Sequence, residues 1–331
     1  MFKIAFLSEG TYQGKIQRSF PNMRVDLAWQ CLLESDHYNI TSYELVSNYD
    51  FIFIIWPKGD VLINSEGLQL TDTQRKNNSQ IFERSSAIIE KLKANNKKVG
   101  FIQEGPTWFS NDYTLLNQIH HFNIITESDF IFCHNYKDTA YYKGITDKPV
   151  HVINSIIIND LLEDIKNEKE NKTIIGGNFT NWYGGFNSFL VASKFNNPVW
   201  CPSMHNKQPG EEQFVNHFQY MPWIDWMKEL SKFKFAVHLM PTLAAGTFSL
   251  NCATFGIPCI GNENLDTQSI CFPDLSIDVN DIYKANKLVD RLNKESDFYS
   301  YCSNHAISTA KTYYAEESWL DNINKVLNEI Q

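Results

Sequence analysis

Short apolar runs recur along the first half of the chain, at Lys3–Leu7, Thr41–Val46, Phe51–Trp56, Lys98–Gln103, Phe130–His134 and Val150–Asn154. Between them, Val25–Glu34 and Gln80–Asn95 carry apolar residues at helical spacing. Apolar runs without in/out alternation predict strands covered on both faces, which means a parallel sheet with helices around it. From Asp160 to Asn171 the chain turns charged and Asn-rich, with Leu161, Leu162 and Ile165 as its apolar anchors. A second series then begins. It predicts strands at Lys172–Ile175, Val199–Cys201, Phe235–Met240, Pro258–Gly261 and Leu275–Asp278, and helices at Phe186–Phe195, Ile224–Lys232, Phe248–Phe255 and Ile282–Asn293. The last stretch, Phe298–Ile330, predicts one long helix rich in aromatic residues. The pattern is α/β throughout and divides at residues 1–160, 172–297 and 298–331.

Composition narrows this. The chain has 331 residues, enough for two domains of ordinary size. Its longest apolar run, Phe51–Trp56, is far short of the ~20 residues that a membrane span needs. The first residues read as a strand and lack the charged start and cleavage site of a signal peptide. Seven cysteines occur with no CxxC pair and no zinc spacing, so the expectation is buried reduced thiols in a cytoplasmic protein, with no metal site. The formal net charge is −9, which excludes a protein that coats nucleic acid electrostatically. The charge is uneven. Residues 1–160 hold 15 Lys and Arg against 18 Asp and Glu, and residues 161–331 hold 14 against 20. Any nucleic acid would meet a local patch in the first half.

In parallel α/β domains, ligands collect at the carboxyl ends of the strands, so the loops there are the ones to inspect. After the first strand, Ser8–Lys15 has two glycines but lacks the GxGxxG spacing. Lys15, Arg18 and Arg24 follow, with no acidic residue between Glu9 and Asp26, which suggests a phosphate-bearing partner or simply a solvated loop. After Lys98–Gln103 comes Glu104-Gly-Pro-Thr-Trp108, a carboxylate at a strand's end beside a tryptophan, where a general base would sit. In the second half, Gly176 and Gly177 end the first strand and let backbone N–H groups approach an anion. Gly246, Thr247 and Ser249 offer donors at a helix N-terminus. His120 and His121 lie about 100° apart on a helix and are read as surface or packing residues.

Several strings then resemble a known family. Tyr220-Met-Pro-Trp223, Trp226–Leu230, Phe235–Leu239, Gly246-Thr-Phe248 and Ala253–Gly261 look like the donor domain of GT-B glycosyltransferases. That fold implies two Rossmann-like domains facing across a cleft, with a C-terminal helix crossing back to the first domain. Within it, the chain is similar to the phage DNA β-glucosyltransferases, which glucosylate 5-hydroxymethylcytosine. Lys97–Glu104 resembles the strand that ends in their catalytic carboxylate, which implies Glu104 as the base. Ile175-Gly-Gly-Asn-Phe179 resembles their donor loop, which implies Gly176, Gly177 and Asn178. Tyr220-Met-Pro222 resembles the loop whose backbone reads the uracil edge, which implies Met221. Glu263–Gln268 and Ser276–Asn280 resemble an acidic segment and the strand after it.

The departures from that pattern are chemical. The family holds the diphosphate with arginines and the ribose with a glutamate. Here the corresponding places carry Thr180, Ser249, and Cys252 or Asn251, and no Arg occurs between residues 85 and 290. The diphosphate would be held by backbone N–H groups, hydroxyls and a possible Mg or Mn ion, and Asn251 would bond the ribose.

The expectation is therefore a hexosyl- or pentosyltransferase that moves a sugar from a nucleotide-diphosphate donor, a UDP-sugar by resemblance, with no permanently bound cofactor. Glu104 takes the acceptor's proton, and direct displacement inverts the anomeric carbon. The favoured acceptor is a hydroxylated or hydroxymethylated pyrimidine in phage DNA, modified in the host cytoplasm, the base being flipped out to react. It would be met by Lys15, Arg18, Arg24, Asp26 and Trp108, and by the insertion Lys58–Gln80. Two alternatives stand beside it: a saccharide or lipid-linked glycan as acceptor, and a non-catalytic nucleotide-sugar binder.

Overall fold

The computed structural model describes residues 2–10, 12–23, 25–56, 88–94, 97–202 and 207–331. The chain divides into two compact units. Unit 1 comprises Met1–Gln17, Trp29–Ile153 and Asn322–Gln331, and unit 2 comprises Arg18–Ala28 and Asn154–Asp321.

Unit 1 is built on β1 (Ile4–Ser8), β2 (Gly14–Lys15), β3 (Asp36–Asn39), β4 (Phe51–Ile55), β5 (Lys98–Ile102), β6 (Phe130–Cys133) and β7 (Val150–Val152). They form one sheet in the order β2-β3-β1-β4-β5-β6-β7, parallel except for the β2–β3 pair. Both faces of the central strands are buried, as unalternating apolar runs require. Ala5, Leu7, Ile52, Ile54, Val99, Phe101, Ile131 and Cys133 point to one face, where Ile124, Ile125 and Tyr142 cover them. The opposite face is aromatic: Phe53 meets Phe6, Phe130 and Phe132 edge-on at 5.1, 5.9 and 5.4 Å.

Unit 2 is built on β8 (Glu170–Ile175), β9 (Val199–Cys201), β10 (Asn216–His217), β11 (Phe233–His238), β12 (Cys259–Asn262) and β13 (Ser276–Ile277). The sheet is parallel throughout, in the order β10-β9-β8-β11-β12-β13. This is the doubly wound 3-2-1-4-5-6 order, whose direction reverses between β8 and β11.

Two expectations are corrected. Thr41–Val46 is not a strand: the strand is Asp36–Asn39, and Ile40–Val46 turns into 3-10 helix. The terminal helix is two helices, Ser296–Thr312 and Glu316–Ile330. Ser296–Thr312 packs on the helices Thr247–Thr254 and Asp266–Cys271 of unit 2, and it is Asn322–Gln331 that belongs to unit 1. Of the surface or packing roles expected for the histidine pair, the packing role holds: His120 is fully buried near Trp56, and the half-buried His121 meets Phe101 edge-on at 5.5 Å. Of the expected helix Gln80–Asn95, residues 88–93 are helical. The remainder of that segment, with Arg24 and the insertion Lys58–Gln80, lies outside the described residues. All seven cysteines are free thiols, six of them buried. Among the described residues, no helix is long and apolar enough to cross a membrane.

Candidate functional site

In unit 1, Glu104 stands two residues beyond the carboxyl end of β5, half-buried, on a backbone that is tied down on both sides. The buried Gln103 before it donates from its amide to Gly105 O (2.9 Å) and to Asp138 Oδ2 (3.1 Å). Its own Oε1 accepts from the His134 backbone N–H at 3.3 Å, and Asn135 adds a second bond to Asp138 Oδ2 at 3.0 Å. Burial raises the Asp138 carboxyl above its ordinary range, against these two side-chain bonds. Burial likewise lowers His134, while the charges of Glu104 and Asp138 oppose the shift. Tyr113 lies close enough to feel Glu9 and Glu104. Its phenol is pushed up to about 12, by burial first and then by the two carboxylates. Trp108 is half-buried on the 3-10 turn Thr107–Asp112 and stacks on Phe109 at 6.0 Å. The arrangement gathers Glu9, Glu104 and Tyr113 at the carboxyl edge of the unit 1 sheet, which can take a proton from, and hydrogen-bond to, a hydroxylated ligand.

At the neighbouring end of β1, Ser8 Oγ and His37 Nε2 are 2.7 Å apart, and His37 Nδ1 is 2.7 Å from Tyr12 O. The Tyr12 ring stacks on His37 at 3.8 Å. Burial lowers the imidazole, against the bond to Tyr12.

The basic loop is less available than its sequence suggests. Arg18 donates from Nη1 to Asp160 (2.6 Å) and from Nη2 to Glu316 (2.5 Å), all three within unit 2. Lys15 lies 3.9 Å from Glu34, with both side chains largely exposed. Asp26 is half-buried in the first turn of the helix Val25–Leu32.

In unit 2, the expected donor residues gather at the point where the strand order reverses. Gly176 follows β8 directly, and the ring of His238, the last residue of β11, lies against it. A Cβ at Gly176 would come within 2.1 Å of that ring. The same ring meets Phe248 at 4.9 Å, in the first turn of the helix Thr247–Thr254. His238 thus joins the Gly176–Gly177 turn to the Gly246–Thr247 helix start. It is buried, its Nδ1 has no hydrogen-bond partner among the described residues, and burial lowers its pKa to about 4. The segment after β11 is tied to the loop and helix that follow the turn by Ser188 Oγ, which accepts from Leu239 N at 2.9 Å, and by Thr242 Oγ1, which donates to Trp182 O at 2.8 Å. Gly246 caps the helix in the left-handed region at φ +66, and Thr267 Oγ1 donates to its carbonyl at 2.9 Å. The first backbone N–H groups of a helix have no partner within it, so this start can bond an anion.

The other expected donor residues divide. Asn178 is buried, and its Oδ1 accepts from Thr180 N at 3.4 Å. Asn251 is buried within its helix. Ser249 is fully buried and donates to Gln268 Oε1 at 2.8 Å, so its hydroxyl serves the interior instead of the helix start. Met221 is half-buried beside the exposed Tyr220. Asn22 holds this loop, accepting from Trp223 N at 3.1 Å. Sequence reasoning missed His238 and the Gln103–Asp138 network. The histidine lies within Phe235–Leu239, but nothing local shows that Gly176 lies under its ring.

No family model matches the chain, and no curated protein is similar to it in sequence. Solved structures do resemble it. An alpha-glucosyltransferase in complex with UDP and a 13-mer DNA containing an HMU base matches at 12% identity with a TM-score of 0.64, covering 99% of each chain. Anabaena Alr3699/HepE in complex with UDP-glucose matches at 9% identity with a TM-score of 0.66, covering 99% of this chain and 100% of that one. The sucrose-phosphate synthase of Thermosynechococcus elongatus matches at 9% identity with a TM-score of 0.63, covering 100% of this chain and 99% of that one. Two parallel doubly wound sheets and this whole-length likeness give the chain the GT-B fold of glycosyltransferases.

Proposed function

We propose that the protein is a glycosyltransferase that moves a sugar from a UDP-sugar to an acceptor hydroxyl, and that the acceptor is a hydroxymethylated pyrimidine in phage DNA. The observation that supports the reading is the whole-length likeness to structures solved with UDP, with UDP-glucose and with DNA containing an HMU base. The residues supply the chemistry. Glu104, on its pinned backbone, takes the acceptor proton as the oxygen attacks the anomeric carbon. The bond from that carbon to the diphosphate breaks, and UDP leaves with the electron pair. Backbone N–H groups at Gly177 and Thr247 receive the developing charge, while the Gly176 N–H is held by Val237 O at 3.0 Å and Gly176 contributes the close approach of its bare Cα. Asn178, Asn251 and Met221 complete the donor side, with Mg or Mn as a possible counter-ion. Direct displacement with Glu104 as base inverts the sugar. Three of the similar structures are alpha-glucosyltransferases, so the anomeric configuration of the product is a sharp check on this role.

A second reading, a saccharide or lipid-linked acceptor, is favoured by one observation. Arg18 is held by Asp160 and Glu316, which removes a cation from the expected DNA patch. The test incubates the protein with a panel of UDP-sugars and DNA containing 5-hydroxymethylcytosine or 5-hydroxymethyluracil, with an oligosaccharide arm in parallel. We expect nucleosides heavier by one sugar residue. Transfer in the oligosaccharide arm alone would favour the second reading. UDP binding without turnover in any arm would make the protein a nucleotide-sugar binder.

A further inference from the structure

Unit 2 holds a cluster that no step of glycosyl transfer uses. Cys201 ends β9, His217 ends β10, and Glu211 lies on the short 3-10 turn Glu211–Gln213 between them. The parallel pairing sets Cys201 opposite His217. One candidate ligand atom from each of Cys201, Glu211 and His217 can be chosen so that all three lie within 4.8 Å of one another. The Cys201 and Glu211 residues are 0% and 1% exposed, and the His217 side chain is 6% exposed.

The hydrogen bonds within the cluster do not close. Cys201 Sγ lies 3.1 Å from His217 Nδ1, which satisfies one ring nitrogen. Among the described residues His217 Nε2 is buried without a hydrogen-bond partner, because Glu211 Oε1 stands 3.6 Å away. An unpaired ring nitrogen facing a buried carboxylate is costly unless something lies between them. Glu211 is already oriented, since its two oxygens accept from Phe179 N at 3.1 Å and Gln208 N at 2.8 Å. Thiolate, imidazole and carboxylate together match the ligand preferences of zinc. Ligand atoms bound to one zinc lie roughly 3.3–3.6 Å apart; His217 Nε2 and Glu211 Oε1 stand 3.6 Å apart, and the three chosen atoms fall within 4.8 Å, so a small shift would close them on one ion.

We propose that Cys201, Glu211 and His217 form a zinc site, with the fourth position open to water. On binding, the thiol proton leaves to solvent, sulfur and the imidazole each give a lone pair to the metal, and the carboxylate completes the set. The ion would tie the ends of β9 and β10 to Phe179, immediately after the Gly176–Asn178 turn. It braces that turn and takes no part in the transfer step, so the proposal stands apart from the acceptor assignment.

The test is a cobalt titration of the full chain after chelator treatment, without oxygen. Cobalt is the probe because thiolate ligation gives a visible charge-transfer band. The folded wild type should take one cobalt per chain with that band, zinc should bleach it, and exchange of the Phe179 amide should slow. Cys201→Ser should lose the band and His217→Gln should lose stoichiometric binding, each keeping its circular dichroism. If Cys201→Ser does not fold, His217→Gln decides by the same readouts. A folded wild type that binds no cobalt, or a band that survives in the variants, overturns the site.

Discussion

His238 shows how one side chain acts on two loops. Its ring fills the space that a side chain at position 176 would need, so Gly176 is required for close approach to a neighbour 62 positions away. Gly176→Ala should therefore lower stability by about 1–3 kcal/mol, the usual cost of overpacking, as read from the urea midpoint. An unchanged midpoint would mean that the ring does not lie there. Ser249 makes a contrasting case. Its hydroxyl was legible as a donor near a helix start, yet it is spent on Gln268. Ser249→Ala should cost about 1 kcal/mol of stability and leave the KM for the UDP-sugar unchanged. A tenfold rise in KM at unchanged stability would put Ser249 back at the donor. Gly176 and Ser249 were both visible as residue types in the right loops. The partners that decide their roles come from other strands and helices, and no local pattern carries that information.

At the scale of elements, sequence reading did best where apolar runs were long and unalternating. β4, β5 and β6 lie where the runs placed them, because burial on both faces leaves a plain signal. It failed at Asp36–Asn39, whose polar residues give no strand signal. That strand is held by pairing with β1 and by Tyr49, which donates to Asp36 at 2.8 Å and lies 2.9 Å from Tyr38 hydroxyl to hydroxyl. The β-branched and aromatic residues of Thr41–Val46 gave a strand signal, but no neighbouring strand pairs with them, and the segment turns into 3-10 helix with Ile40 and Val46 buried. The loop before the helix Val25–Leu32 likewise looked like a free basic patch, because its acidic partners lie more than 140 residues further along the chain. Exposed ion pairs contribute roughly 0–1 kcal/mol, so Arg18→Ala should shift the melting temperature little. With Arg18 engaged at both carboxylates, the variant should also leave the salt dependence of DNA binding unchanged. A flatter salt slope in the variant would show that Arg18 meets phosphate after all.

Over the whole molecule, buried neutral histidines set the response to acid. His121 and His238 are both lowered by burial to about 4, and His37, His120, His134, His151 and His217 are lowered as well. The ordinary histidine value is 6.5, so below that pH the unfolded chain binds protons that the folded sites refuse. Stability is therefore full above about pH 6.5 and falls as pH drops towards 4, by up to about 3 kcal/mol for His238 alone. Asp138, whose carboxyl is raised, acts in the opposite direction. Urea midpoints measured from pH 7.5 to 4.5 should decline steadily, and a flat profile would contradict the burial of these rings. The two-unit α/β architecture was legible because two series of parallel-strand patterns flank a polar stretch. The division of the terminal helix between the units was not, because its aromatic residues read as one continuous stripe across the break at 313–315.

The central claim is that a sugar leaves UDP while Glu104 takes the acceptor's proton. The direct measurement is UDP release from a UDP-sugar in the presence of hydroxymethylated DNA, comparing wild type with Glu104→Gln. A general base contributes typically 10²–10⁴-fold, so kcat should fall by at least about a hundredfold, with UDP affinity and melting temperature unchanged. Equal turnover by both proteins would contradict the account.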